Sequence, residues 1–195
     1  KQLPGIEIKC VCDIDDAKKH VVNNIDGASF YSDINKMLNE QSIDCCFILT
    51  PSGLHYEQST ICLNAGVNTF VEKPLTLKIE DAVMLNKLAK KNKVTLGVVY
   101  QNRFNKSIRL AKQLIDNEVF GKRVLTSVKL FWSRDNKYYN GWRGTWALDG
   151  GVMAQQAIHH LDILQWFNSK IEKVYCMEKS IINNLEADDT SIGNI

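Results

Sequence analysis

Lys73 is the middle residue of Glu72-Lys73-Pro74, a tripeptide that directly follows an apolar run, residues 67–71, typical of a buried β-strand. Open α/β sheets bind their ligands at the carboxyl ends of their parallel strands. The proline fixes the backbone beside the lysine and removes an N–H donor. We therefore predict that the ammonium group of Lys73 faces a cofactor or substrate. The alternative is a solvated surface pair with Glu72, which would stabilise the protein little.

His159 is the second residue that could do chemistry. It follows Gln155 by four residues, so the two side chains share one face of a predicted helix, residues 152–167. Histidine is the natural general base near neutral pH, whereas the common alternative is a hydrogen-bonded structural residue. The adjacent His160 points in another direction and is interpreted as structural. Asp162 can share the face of His159, but nothing supplies the remaining ligands of a metal site, and no metal is expected.

An acidic residue, Asp13, directly follows a predicted strand, residues 6–12. In a dinucleotide site an acidic residue at this position hydrogen-bonds the ribose hydroxyls of the adenosine. Because a carboxylate repels a 2′-phosphate, Asp13 favours NAD over NADP. The alternative is a helix N-cap, a role that Asp15 could share.

Two further segments carry candidate binding residues. The turn of residues 50–53 lies between a buried strand and a helix, where a hydroxyl and helix N–H groups can point at a ligand; an ordinary strand–helix connection would have the same composition. Arg143 lies in an aromatic, glycine-rich stretch, residues 138–151, and its guanidinium can hold a phosphate or carboxylate with two hydrogen bonds. The neighbouring tryptophans are equally consistent with packing between two domains.

Alternating strands and helices in the first half must position these residues. Strands are predicted at 6–12, 44–49, 67–71 and 94–100, and helices at 15–22, 32–38, 54–65 and 79–91. Continuous apolar strands alternating with helices indicate a parallel sheet covered on both faces. Right-handed crossovers make it a doubly wound, Rossmann-type α/β domain, residues 1–100.

The pattern changes after residue 100. Helices are predicted at 105–117 and 152–167, and strands with alternating character at 123–133 and 172–180. Such strands are typical of a largely antiparallel sheet with one exposed face. A second α/β domain for substrate binding and oligomerisation is therefore predicted at residues 101–195.

The composition limits the possible functions. The 195 residues carry a net charge of +2, which does not indicate a nucleic-acid partner. The six cysteines form no CxxC pair and no zinc spacing, and no signal peptide or membrane-length apolar run is visible. We therefore expect free thiols, a cytoplasmic location and no membrane partner. The eleven glycines form no GxGxxG turn, so we interpret the chain as an incomplete copy of a longer enzyme that lacks the first Rossmann strand, its glycine-rich turn and the C-terminal strands.

Several of these segments resemble the Gfo/Idh/MocA oxidoreductases, which are NAD(P)-dependent enzymes acting mostly on sugars and cyclitols. The resemblance covers nearly the whole chain, and Glu-Lys-Pro is its most specific motif. The segments that carry it are Val11-Cys12-Asp13-Ile14-Asp15, Thr50-Pro51-Ser52-Gly53-Leu54-His55, Glu72-Lys73-Pro74, Tyr100-Gln101-Asn102-Arg103-Phe104 and the helix that contains His159.

The resemblance implies a role for each matching residue. His159 would be the general acid/base, and Lys73 would orient the reacting hydroxyl. Gln155 stands where many members have an aspartate; it would contact the substrate, and it puts the polyol-specific subgroups in doubt. The NAD-binding residues would be Asp13 and Ile14 at the adenosine ribose, Thr50, Pro51, Leu54 and His55 along the cofactor, Glu72, Lys73 and Gln101 near the nicotinamide, and Trp142 and Arg143.

A closer resemblance concerns residues 131–134, 138–139 and 142–146. They look like members that oxidise a UDP-linked N-acetylglucosaminuronate at its 3-hydroxyl, which makes a nucleotide-sugar the best candidate substrate. Inositol or a free sugar is the alternative within the same chemistry. A non-catalytic nucleotide- or sugar-binding protein is the alternative of another class. Related proteins commonly pair through the second-domain sheet, so a homo-oligomer is expected.

Overall fold

The computed structural model describes residues 4–168 and 170–195, and a parallel α/β arrangement occupies its first half. The strands are β1 (Cys10–Cys12), β2 (Ser29–Tyr31), β3 (Cys45–Ile48), β4 (Asn68–Glu72) and β5 (Leu96–Val99). Within the described residues, β1 pairs with β2, and β4 lies between β3 and β5, all in parallel. This is the Rossmann-type α/β class that the sequence predicted.

Three helices connect these strands: α1 (Ile34–Glu40), α2 (His55–Asn64) and α3 (Ile79–Asn92). The α1 helix begins where Asp33 accepts a hydrogen bond from the Lys36 N–H, a normal N-cap. Gly66, with φ of +75°, follows α2 in a left-handed conformation that glycine adopts without a steric penalty. These local signals explain why the predicted and observed limits of the helices agree closely.

The core joins the central sheet to α2 and α3. One cluster consists of Ile48, Cys62 and Val71, from β3, α2 and β4. A second cluster packs Leu63 against Leu85 and Ala89. Since each fully buried leucine stabilises the fold by about 1.5–3 kcal/mol, these contacts fix the strand ends that carry Lys73.

Two predicted elements of the first half differ from the structure. The helix predicted at 15–22 is a 3₁₀ helix, Asp16–Asn24, which Asp15 caps by accepting from the Ala17 N–H at 3.0 Å. The strand predicted at 6–12 is ordered into a ladder only at Cys10–Cys12, and its partner β2 was not predicted. The short polar segment before β2 gave no apolar run to recognise.

The second half contains α4 (Lys106–Asp116), α5 (Ile158–Asn168), β6 (Tyr175–Lys179) and β7 (Thr190–Asn194). The β6 and β7 strands pair antiparallel, as expected for this half. The strand predicted at 123–133 is wrong for this structure: the segment has no ladder partner among the described residues, and Val124 and Phe131 are exposed. An alternating pattern favours extended backbone, but a strand also needs a neighbour to pair with.

The helix that carries His159 begins irregularly. Residues 151–152 are helical, Met153–Ala157 forms a π-helical turn, and α5 continues to Asn168. A π turn widens the helix by one residue and displaces its carbonyls from their usual i+4 partners. Such turns are frequent at functional sites, and this one contains Gln155.

Candidate active site

The carboxyl ends of β3 and β4 are joined by the imidazole of His55. Its Nδ1 lies 2.7 Å from the Pro74 carbonyl oxygen and its Nε2 lies 2.9 Å from the Thr50 carbonyl oxygen. The side chain is only 1% exposed. Sequence reasoning placed His55 along the cofactor, but both ring nitrogens face the backbone, so its side chain holds together the two turns that lead to the site.

Lys73 reaches from the end of β4 to the second half of the chain. Its Nζ donates to the Gln155 carbonyl oxygen at 2.7 Å and lies 3.3 Å from Gln155 Oε1. Burial lowers the pKa of Lys73, and Arg143 lowers it further, while Glu72 and Asp149 oppose the change. The amine is therefore a partly desolvated hydrogen-bond donor rather than a solvated surface group.

Gln155 connects both halves through its backbone and its side chain. Its Nε2 donates to Ser52 Oγ at 2.5 Å and to the Asp149 carbonyl oxygen at 3.0 Å. The side chain is buried, with 9% exposed. Because the amide is already occupied, Gln155 contributes to the site chiefly by fixing the position of Lys73.

His159 lies four residues beyond Gln155 on the same helix, close enough for the charge of Lys73 to act on its imidazole. Burial lowers the pKa of His159, and the charge of Lys73 lowers it further. Its Nδ1 is buried and has no hydrogen-bond partner among the described residues. A neutral imidazole at neutral pH can accept a proton, which suits a general base.

The two halves meet closely at Gly53. Its N–H donates to the Leu148 carbonyl oxygen at 3.1 Å. A Cβ at this position would collide with the Ala147 carbonyl oxygen, so only glycine allows this approach. The turn of residues 50–53 therefore forms part of the boundary between the two sides of the cleft.

Two buried carboxylates hold the start of the His159 helix. Asp188 accepts from the Val152 N–H at 3.2 Å, and Asp149 accepts from the Gly144 N–H at 2.9 Å. Burial raises the pKa of Asp188 to about 6, and Glu178 and Asp149 raise it as well. A Cβ at Gly151 would collide with the Asp188 carboxylate, so glycine is needed where the helix begins.

The comparison with known families identifies this arrangement. Residues 1–100 match the Gfo/Idh/MocA oxidoreductase family, described as having an NAD-binding Rossmann fold, and residues 108–195 match the C-terminal domain of the same family. The chain belongs to the Gfo/Idh/MocA oxidoreductase family.

Solved members of the family share this structure. The WlbA dehydrogenase of Chromobacterium violaceum, in complex with NADH and UDP-GlcNAcA, is 37% identical with a TM-score of 0.93, and the match covers 96% of this chain and 55% of that chain. The WlbA dehydrogenase of Bordetella pertussis, in complex with the same two ligands, is 33% identical with a TM-score of 0.92 and the same coverage.

A curated relative acts on another kind of compound. The 1-carboxy-3-chloro-3,4-dihydroxycyclohexa-1,5-diene dehydrogenase of Comamonas testosteroni is 31% identical over 143 residues, which are 71% of this chain and 35% of that protein. The chain thus spans about half the length of the solved structures and about a third of this relative.

The carboxyl end of β1 carries Asp13 and Ile14, the two residues predicted to contact the adenosine ribose. Asp13 Oδ1 accepts from the Asp15 N–H at 2.9 Å, and its Oδ2 pairs with Lys18 Nζ at 3.0 Å. The backbone hydrogen bond and Lys18 lower the pKa of Asp13, so it is ionised at neutral pH. Since Asp15 caps the following 3₁₀ helix, Asp13 need not serve as its cap. Ile14 is 90% exposed beside it and open to contact.

The remaining expected cofactor residues surround the same edge. Thr50 Oγ1 donates to Gln58 Oε1 at 2.7 Å, and Glu72 accepts from the Lys73 N–H at 3.2 Å. The Arg143 guanidinium lies 4.7 Å from the ring centres of both Tyr138 and Trp142. Pro51 and Leu54 belong to the turn against the second half, whereas Gln101 is exposed in a 3₁₀ helix after β5.

These residues fit a bound dinucleotide. An ionised carboxylate lies at the end of β1, and the ends of β3 and β4 offer turn residues and an amine. Sequence reasoning missed polar partners from distant positions, namely Ser52, Asp149, Asp188 and Arg103; it placed Asp162 on the face of His159 but did not identify its pairing with Arg103. Ser52 and Arg103 lie in segments that carry the family resemblance, which is the one signal that could have found them.

The described residues contain neither a metal-binding cluster nor a membrane-spanning helix. In ranges 4–168 and 170–195, no cluster of three or more His, Cys, Asp or Glu side chains is arranged to hold a metal ion. Over the same ranges, none of the helices combines the length and apolar character needed to cross a membrane.

Proposed function

We propose that this protein is an NAD-dependent dehydrogenase that oxidises a secondary hydroxyl group of a sugar or nucleotide-sugar. The observation that carries this proposal is the contact of Lys73 Nζ with the Gln155 carbonyl, one helical turn before His159. It brings a desolvated ammonium group and a neutral imidazole to one cleft at the ligand edge of a Rossmann-type sheet. Those are the two groups that alcohol oxidation needs from a protein.

Asp13 and Ile14 would hold the adenosine ribose of NAD, and Thr50, Pro51 and Leu54 would line its central part. Glu72, Lys73, Gln101, Trp142 and Arg143 are proposed to complete the binding edge. When bound, NAD supplies the acceptor for the hydride that leaves the carbinol carbon. The carboxylate of Asp13 supports NAD over NADP because it would repel a 2′-phosphate.

His159 accepts the proton of the substrate hydroxyl, and its lowered pKa keeps the imidazole free to do so at neutral pH. Lys73 donates a hydrogen bond to the same oxygen and stabilises the negative charge that develops as the proton leaves. A preorganised donor of this kind lowers the barrier by about 3 kcal/mol. Gln155, whose buried amide is already hydrogen-bonded, holds the amine in place.

We propose UDP-linked N-acetylglucosaminuronate, oxidised at C3, as the substrate. The two WlbA structures with UDP-GlcNAcA support this choice at 33% and 37% identity. Arg143 offers a cation for a carboxylate or diphosphate. Gln155 replaces the aspartate common in the family, which disfavours the inositol alternative.

A cyclic diol or polyol such as inositol is the second candidate, and the Comamonas testosteroni relative, named for a dihydroxylated ring, favours it. A non-catalytic nucleotide- or sugar-binding protein is the candidate of another class. We also propose that residues 1–100 bind the cofactor and residues 101–195 the substrate, and that the protein works as a homo-oligomer. The six cysteines are all free thiols, which supports a cytoplasmic, reducing location.

The test is NADH formation by the full-length protein with UDP-GlcNAcA, inositol and a cyclic diol, using UDP-GlcNAcA deuterated at C3 to trace the hydride. We expect deuterium transfer to NAD from the nucleotide-sugar. Lys73→Met should lower kcat about 100-fold or more, whereas Lys78→Met, on the exposed start of α3, serves as the matched control and should leave kcat unchanged.

Three outcomes would count against parts of the proposal. Near-normal turnover by Lys73→Met would contradict the proposal that Lys73 stabilises the developing charge on the substrate oxygen. Faster turnover of inositol or the diol would replace the proposed substrate. Tight NAD binding without any hydride transfer would favour the non-catalytic alternative.

A further inference from the structure

Arg103 and Asp162 form a two-pronged ion pair between the 3₁₀ helix that follows β5 and α5. Arg103 Nε donates to Asp162 Oδ2 at 2.7 Å, and its Nη2 donates to Asp162 Oδ1 at 2.5 Å. The Asp162 side chain is only 10% exposed and the Arg103 side chain 42%, and one guanidinium takes up both carboxylate oxygens. Parallel hydrogen bonds of this kind fix orientation as well as distance.

The guanidinium itself is held by its neighbours. Arg103 lies in the 3₁₀ helix Gln101–Phe104 that directly follows β5. Its charged group lies 5.8 Å from the ring centre of Tyr100 and 5.3 Å from that of Trp166. Arginine stacked in this way loses little further freedom when it binds a carboxylate. The pair therefore connects the end of the parallel sheet to α5 rigidly.

The position of the pair along the helix makes it relevant to catalysis. Gln155, His159 and Asp162 are spaced by four and three residues, so they form one stripe along the helix. Lys73 contacts this face of the helix at Gln155, before His159 in sequence. Arg103 contacts it at Asp162, after His159. Lys73 follows β4 and Arg103 follows β5, so both contacts come from beyond the ends of parallel strands, and His159 lies between them along the helix.

We propose that Arg103 and Asp162 are positioning residues that set the distance and orientation of His159 relative to Lys73. This inference rests on the proposed function, in which those two groups act on one hydroxyl. Contacts at the start of the helix alone, to Val152 and Gln155, would leave its downstream part free to pivot about them. Two attachment points on either side of His159 prevent that rotation.

The charged and titratable groups that face His159 give a way to measure its position. Besides burial, Lys73 and His160 lower its pKa, and Glu72 and Asp162 raise it. Lys73 and Glu72 come from the end of β4, and the other two from the helix itself. The influence of Lys73 on His159 therefore reports how the two sides of the cleft face each other.

The experiment measures the pKa of His159 by NMR titration of its ring signals in the protein without cofactor or substrate. In the wild-type background, Lys73→Met should raise the pKa of His159 because it removes a facing positive charge. In the Arg103→Leu and Arg103→Lys backgrounds, Lys73→Met should increase the pKa of His159 by less than about half as much as in the wild type. The reason is that the coupling between Lys73 and His159 depends on their relative geometry. Lysine keeps the charge of Arg103 but cannot reproduce the two-pronged contact.

Asp116→Asn provides the matched background. Asp116 pairs with Lys112 at 2.5 Å within α4, on an exposed surface, so this variant also removes a close ion pair. The rise caused by Lys73→Met should there keep its wild-type size. An undiminished rise in both Arg103 backgrounds would overturn the proposal, even if those variants were less stable. If Arg103→Leu does not fold, Arg103→Lys decides the question.

A kinetic measurement separates this inference from the proposed function. In a protein that turns over, Arg103→Lys should lower kcat with little change in KM, and its pH profile should shift with the pKa of His159. Because the NMR measurement requires neither NAD nor substrate, the positioning role can fail while dehydrogenation stands. Conversely, the positioning role can hold while dehydrogenation fails, because Lys73 can still influence the pKa of His159 in a protein that oxidises no substrate.

Discussion

Lys73 leaves the end of β4, whose sheet packs on two buried clusters, whereas His159 stands on a helix that enters the cleft after a long segment without strands or helices. The lysine side owes its geometry to apolar contacts of Ile48, Val71 and Leu63. The histidine side is held against it by polar contacts such as those from Gln155 and Asp162. One half of the site is thus determined by the core and the other by specific hydrogen bonds, which predicts different responses to mutation.

Replacing the base on the histidine side should have the largest effect. His159→Asn keeps a polar side chain of similar size but cannot accept the proton, so we expect kcat to fall about 100- to 10,000-fold. The measurement is steady-state NADH formation in the full-length protein. His20→Asn, an exposed histidine on the 3₁₀ helix after β1, is the control. A loss below tenfold would assign the proton transfer to another group.

On the lysine side, substitution of a residue that supports the site should instead lower the stability of the protein. His55→Leu removes the ring N–H that donates to the Thr50 or the Pro74 carbonyl and leaves that carbonyl without its partner, so we expect the free energy of unfolding to fall by about 3 kcal/mol. Denaturant unfolding followed by circular dichroism measures it. His55→Gln, which can donate to one of the two carbonyls, should lose less. Equal stability of His55→Leu and wild type would show that the imidazole does not hold these two turns.

The lysine side, which the apolar core determines, could be predicted further from the sequence than the histidine side, which specific hydrogen bonds determine. Continuous apolar runs and the stop at Gly66 indicated β3, β4, β5 and the helices between them, because a buried parallel sheet leaves a local signature. The position of Lys73 at a strand end follows directly from that order. The division at residue 100 stays a prediction.

The histidine side was harder to predict because its contacts are nonlocal. Residues 123–133 alternate like a strand, yet pairing depends on a neighbour that no local pattern reveals. The π turn at Gln155 and the partners of Asp162 and Asp188 likewise leave no periodic signal. Arg103 binds Asp162 across 59 positions, and only its place in a family motif marked it.

Two adjacent aspartates on the histidine side should respond to pH with opposite signs. The pKa of Asp188 is raised to about 6, so its stabilising protonated form is lost as the pH rises through 6. Asp188→Asn should therefore raise the free energy of unfolding by about 2 kcal/mol at pH 8 relative to wild type. The gain should shrink below pH 6 and level off near the ordinary aspartate value of 3.8.

Asp189 is the matched contrast. Burial tends to raise its pKa, but the N–H groups of Ile181, Asn183 and Ile182 and the Thr190 hydroxyl lower it to about 2. Its stabilisation is present above the ordinary aspartate pKa and is lost as the pH falls through about 2. Asp189→Asn should therefore destabilise the protein at pH 8, where Asp188→Asn stabilises it. Thermal unfolding of both variants at pH 5 and pH 8 measures the two signs, and equal signs would contradict the assignment.

Substitution of Ser52, which lies at the contact between the two sides, should have the smallest effect on activity. Ser52→Ala removes the acceptor of the Gln155 amide but keeps the backbone of the turn, and the Asp149 carbonyl still holds that amide. One hydrogen bond of this kind contributes about 1 kcal/mol, so kcat/KM should fall about fivefold while the stability of the first-half core is unchanged. Ser59→Ala, a buried serine within α2 and away from the cleft, controls for loss of a hydroxyl. Because His55 fixes Lys73 from within its own half, a much larger loss for Ser52→Ala would mean that the lysine side also depends on polar contacts across the cleft.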